Sequence, residues 1–162
     1  MTVNDFPGGR TVRHDTIVIE RRFDATPARV FAAWADPAAR ARWSSPGTDW
    51  EIADDQHDFR VGGREVSRFG PAGEPVYRAE TTYLDIVPDR RIVMAGTMTE
   101  GETRISASMA TVELLTTGDD TRMIYTEQAA FLDGRDVLEN RVRGWGEILD
   151  KLDAELRREC EP

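Results

Sequence analysis

Cysteine is nearly missing from the 162 residues: the chain has one, Cys160, so no intrachain disulfide can form and no thiolate metal cluster can be built. A single thiol suits a reducing compartment, and the expected location is the cytoplasm. Histidine is almost as scarce, with His14 and His57 alone. No G-x-S-x-G elbow accompanies them, which argues against a hydrolase built on a serine or cysteine nucleophile. Basic charge is also short. Twenty-one Lys and Arg face 30 Asp and Glu, a net charge of −9, and nucleic-acid binding needs the opposite, clustered excess. No apolar run approaches the ~20 residues of a membrane helix, and residues 1–13 lack the apolar centre of a signal peptide, so no membrane insertion is expected.

Two local patterns invite chemistry and are better read as structure. Gly62-Gly63 could suggest a phosphate cradle, but such a cradle needs a following helix N-terminus, and REVSRF reads as a strand. The pair is expected to form a turn. His57 sits in DDQHD among Asp54, Asp55 and Asp58, a set able to hold a divalent cation in principle. Without a second histidine nearby, a solvated loop is the expectation, and neither metal nor cofactor is expected.

What the chain does have is an ordinary globular composition, 40% hydrophobic and 31% charged, and a length that supports one domain with a real core. Residues 1–13 read as a flexible lead-in, 14–158 as the domain and 159–162 as a tail. Asp15–Phe23, rich in β-branched residues, reads as a strand with Ile17, Ile19 and the Arg21 stem on one face. Thr26-Pro27 and Asp36-Pro37 each pair an N-cap residue with a proline suited to the first helical position, predicting two short helices in tandem that end near Trp43.

Six further strands are predicted, near 50–54, 64–69, 76–87, 91–97, 104–115 and 122–131, separated by Gly, Pro and Asp turns. Their short connections imply antiparallel pairing. Finally Leu138, Val142, Trp145, Leu149, Leu152 and Leu156 follow one another at intervals of four and three. That spacing predicts one helix over 135–158, about 36 Å long at 1.5 Å per residue. Gly144 and Gly146 interrupt it, making room either for close backbone approach or for a ligand.

Helices and strands are thus segregated, which defines an α+β fold: a curved antiparallel sheet of six or seven strands around a long C-terminal helix. One helix is too narrow to fill such a concavity, and the remaining volume becomes a pocket. Trp34, Trp43, Tyr83 and Trp145 are its expected walls, with Phe31, Phe69, Met94 and Met109. Tyr125, Phe131 and Leu149 complete that set. Adaptable Met beside large aromatic rings suits an apolar ligand. If catalysis occurs, a desolvated carboxylate is the expected base, Glu127 or Glu80. Strand alternation puts Met123, Tyr125 and Glu127 on one face, and whether that face is concave stays open.

The strings FDATPARVFAAWADPAARARWSSP, FRVGGRE, RISASMATVELL, MIYTEQAAF and GWGEILDKLDAEL resemble the family named after the C-terminal domain of the activator of heat-shock-protein-90 ATPase. The resemblance spans Thr16 to Leu156. That family lies within the START and birch-pollen-allergen superfamily, SRPBCC, together with polyketide cyclases, lipid carriers and a calicheamicin self-resistance protein. It implies a helix-grip fold with a hydrophobic cavity and supplies no catalytic triad. The function expected first is binding of a small hydrophobic molecule, whether lipid, aromatic or polyketide-like. The alternatives are a cyclase or hydrolase using a pocket carboxylate, and a co-chaperone or stress-response domain. A homodimer stays open.

Overall fold

A computed structural model describes residues 3–6, 10–44, 46–47, 49–74 and 76–158. The strands are β1 (Val3–Phe6), β2 (Arg10–Phe23), β3 (Trp50–His57), β4 (Arg64–Pro71), β5 (Tyr77–Val87), β6 (Arg91–Glu100), β7 (Thr103–Thr117) and β8 (Asp120–Leu132). Among the described residues three helices join them: α1 (Pro27–Ala35), α2 (Pro37–Trp43) and α3 (Leu138–Arg158). All strands belong to one antiparallel sheet in the order β1-β2-β8-β7-β6-β5-β4-β3. The fold is the expected α+β helix grip, with eight strands among the described residues where six or seven were predicted.

The extra strand comes from the N-terminal side. Val3–Phe6 pairs with Arg10–Arg13, so β2 begins four residues before the expected His14 and the supposed lead-in contributes a paired strand. Backbone pairing on a long neighbouring strand stabilises a segment whose composition alone gives no strand signal. Pro7, Gly8 and Gly9, the tail 159–162 and Cys160 lie outside the described residues.

Local chemistry sets the two short helices as expected. Thr26 Oγ1 accepts from Arg29 N at 3.3 Å and Asp36 Oδ1 from Ala38 N at 3.1 Å, with Pro27 and Pro37 each opening a helix. The connection 58–63 is a turn: Gly62 has φ +82°, and a Cβ at Gly63 would lie 2.1 Å from the Asp58 carbonyl oxygen. Its backbone is pinned to β5 by Gly62 N to Tyr83 O and Tyr83 N to Gly63 O.

On β8, Thr121, Met123, Tyr125, Glu127, Ala129 and Phe131 are all buried. The face carrying Tyr125 and Glu127 is therefore the concave one. Onto it comes α3, which packs on α1, α2 and β2. The helix starts three residues later than predicted and is rotated from the expected face. Val142 is 42% exposed, while Arg141, Ile148, Leu149, Leu152, Glu155 and Leu156 are buried. Neither glycine is forced by close approach. A Cβ at Gly144 would make ordinary contact with Pro46 at 3.8 Å, and one at Gly146 with Arg21 at 3.7 Å.

Trp34 and Trp43 anchor the centre, fully buried with ring centres 4.8 Å apart in an edge-to-face arrangement. Trp43 Nε1 donates to Ala33 O at 3.0 Å. Buried Glu155 of α3 accepts from Arg42 of α2 and fastens the helical layer. No helix among the described residues is long and apolar enough to cross a membrane.

Candidate functional site

Between the sheet and α3 lies a cavity of about 530 Å³, within the range of small-molecule sites. Small side chains aligned in register create it. Thr81, Gly96 and Ser108 form one row across β5, β6 and β7; in the next, Ser67, Ala79 and Ser106 are small and only Met98 on β6 is large. All seven border the space. Gly96 is also required by the backbone, since a Cβ there would sit 2.2 Å from the Glu80 carbonyl oxygen. The opposite wall is α3, through Arg141, Gly144, Trp145 and Ile148.

The aromatic lining falls into two groups. Inside, Tyr125 and Trp145 meet with ring centres 4.1 Å apart, and Trp145 stacks at 6.3 Å on the core ring of Trp34. Towards the sheet edge, Trp50, Phe69 and Tyr77 form a near-parallel set 5.6 to 6.1 Å apart.

Polar chemistry enters the cavity at two places. At the first, Arg141 forms a buried ion pair with Glu127, and its Nη2 donates to Ser106 Oγ at 2.6 Å and Asp136 Oδ2 at 3.1 Å. Tyr125 OH donates to the second Glu127 oxygen at 2.8 Å, and the Arg141 guanidinium lies 5.4 Å from the Phe131 ring centre. Burial, reinforced by the neighbouring Glu127 carboxylate, pushes the Tyr125 phenol well above its ordinary pKa. For Arg141 burial alone would favour the neutral form; Glu127 and Asp136 outweigh it and raise the pKa.

At the second place Glu65 accepts from Arg40 (3.2 Å), from Tyr83 OH (2.8 Å) and from His57 Nδ1 (2.9 Å). His57 Nε2 faces Ala35 O at 3.3 Å. His57 is thus a partly buried member of β3 and not part of a solvated loop, because Glu65 across the β3–β4 register captures its ring. Burial works to raise the Glu65 pKa, but the Arg40 charge and the His57 and Tyr83 hydrogen bonds overcome it, holding the carboxyl at about 2. The same hydrogen bond raises His57.

These opposite shifts predict a stability window. A depressed carboxylate stabilises the fold above its unfolded pKa near 4.3, and that contribution fades as the pH falls towards 2. A raised histidine stabilises below its unfolded pKa of about 6.5, and its contribution is lost as the pH rises through the folded value. Wild type should therefore exceed Glu65→Gln in melting temperature most between roughly pH 4.5 and 6.5. Paired thermal melts across pH check this, and a difference independent of pH would refute it.

Of the residues expected to wall a pocket, Phe69, Met94, Tyr125 and Trp145 border the cavity, as does Glu127. Trp34, Trp43, Tyr83, Phe131 and Leu149 are instead buried in the interior, and Phe31 is partly buried against Phe59, 5.5 Å away. The reason is the volume they fill beneath α3: large rings complete the core, and the hollow opens where side chains are small. Met109, 43% exposed, points to the outer face. Glu80 is there too, paired with Arg64 and Arg78. The residues missed are Arg141, Ser106 and the small-residue rows. Burial of Arg141 depends on Glu127, fourteen positions away on another element, and nothing in the local pattern signals it.

A curved antiparallel sheet gripping one long helix, with a hollow between them, defines a helix-grip protein of the SRPBCC superfamily. The chain belongs to the family described as "Activator of Hsp90 ATPase homolog 1-like protein", whose profile matches residues 24–157. Comparison with curated proteins gives no match. Among solved structures, a Rhizobium leguminosarum protein is 40% identical with a TM-score of 0.85, covering 92% of this chain and 98% of its own. Mll3558 from Rhizobium loti is 46% identical with a TM-score of 0.79, covering 89% and 98%. CV1439 from Chromobacterium violaceum is similar at 25% identity, TM-score 0.78, covering 87% and 96%.

Proposed function

We propose that the protein binds a small, mainly apolar molecule between the sheet and α3. The observation that carries this reading is the cavity itself, bordered by Met94, Ile105, Ala110, Tyr125, Trp145 and Ile148. Burial of an apolar ligand surface there would contribute roughly 25 cal/mol per Å² before the costs of association. The cyclase or hydrolase reading has less support: both Glu127 oxygens already accept hydrogen bonds, and Glu80 lies outside the cavity.

The test is solvent extraction of the purified protein with mass spectrometry, together with titration followed by tryptophan fluorescence. One defined molecule should copurify, and its return to the stripped protein should alter the emission of Trp145 and Trp50. Ala110→Phe, which fills the space from β7, should abolish both signals while the variant still melts cooperatively. Absence of any extractable molecule, with no fluorescence response to apolar compounds, would overturn the reading.

A further inference from the structure

We infer that the ligand of this cavity is uncharged, that it carries a hydrogen-bond acceptor met by Ser106, and that the cavity rejects carboxylates. The inference rests on the binding function proposed above and names the chemical class the cavity selects.

Ser106 supplies the first observation. It is 1% exposed and borders the cavity from β7. Its oxygen accepts from Arg141 Nη2 at 2.6 Å, and among the described residues no oxygen takes the hydroxyl proton. A hydroxyl whose oxygen is loaded by a guanidinium is polarised as a donor. A buried donor is costly unless it is matched. A ligand carbonyl or ether oxygen would match it.

The charge inventory around Ser106 supplies the second. One guanidinium group, Arg141, stands against two carboxylates, Glu127 and Asp136. Arg141 is engaged by both and by Ser106. The balance beside Ser106 is therefore negative. An anionic ligand would be desolvated there with its natural partner already taken, the situation in which buried charge is most unfavourable. At the rim, Arg135 and Arg143 are offset by Glu100 and Glu147, all of them exposed, where solvent screens the attraction.

Three matched probes test this by isothermal titration at about pH 7, where an aryl carboxylic acid is ionised: acetylnaphthalene, naphthoate and ethylnaphthalene. They share one apolar body. The ketone should bind tightest, the hydrocarbon about tenfold more weakly, and naphthoate at least that much more weakly again. Ser106→Ala should erase the advantage of the ketone, bringing it within about twofold of the hydrocarbon on the same variant. The ranking on wild-type protein needs no variant, so it stands even where Ser106→Ala fails to fold. Naphthoate binding as tightly as the ketone would overturn the inference and leave the binding function intact. A ketone advantage that survives Ser106→Ala would do the same. Failure of all three probes to bind, while a defined molecule still copurifies, would overturn the inference alone.

Discussion

Arg141→Met is expected to cost about 3–5 kcal/mol of folding stability, because it leaves Glu127 charged and buried without its counter-ion. For a domain of this length that is a fall of roughly 10 °C in melting temperature. The loss exceeds what a surface arginine would give because Arg141 is 9% exposed and holds Glu127, Ser106 and Asp136 together. Adding Glu127→Leu to Arg141→Met should restore much of the stability, since removing both partners of a buried pair is often neutral or favourable. Denaturant unfolding of the two variants measures it. A loss below about 1 kcal/mol for Arg141→Met would mean that the pair is solvated as a surface bridge is.

Trp34→Ala is the second large effect, with an expected loss of about 3–5 kcal/mol from a void at the centre of the core. The ring is fully buried, packs edge-on against Trp43, stacks on Trp145 and lies 4.9 Å beneath the Arg40 guanidinium. Trp34→Phe should lose less, keeping an aromatic face for Trp145. Because Trp145 borders the cavity, Trp34→Ala should also weaken apolar probe binding although Trp34 does not touch the space. Unfolding melts together with probe titration separate the two consequences. A variant that melts within a few degrees of wild type would show that neighbouring side chains collapse into the void, as partial relaxation allows.

The legibility of this protein in its sequence divides along the same line as its core and its cavity. Thr26-Pro27 and Asp36-Pro37 mark both short helices because capping is a local transaction between a side chain and the next turn. The rotation of α3 is a different matter. Val142 continues the apolar spacing and faces water, while Arg141 breaks it and is buried, since the decisive partner, Glu127, comes from β8. Strand alternation places Tyr125 and Glu127 on one face, and which face is concave is decided where α3 docks. Phe69, Met94, Tyr125 and Trp145 are legible as wall residues, but the small-residue part of the wall carries no such signal. Ser67, Ala79, Gly96 and Ser108 look unremarkable in sequence, and only the sheet register lines them up. The large aromatics Trp34, Trp43 and Tyr83 fill space and do not frame it.

The register rows bear on how such a protein could change. Rigidity resides in Trp34, Trp43 and the seam where α3 meets α1 and α2, whereas the contour of the hollow depends on short side chains elsewhere on the sheet. Exchanging Ser108 or Ala79 for a bulkier residue would redraw the mould without disturbing what keeps it upright. One architecture can thus carry differently shaped hollows through a few steps on β4 to β7.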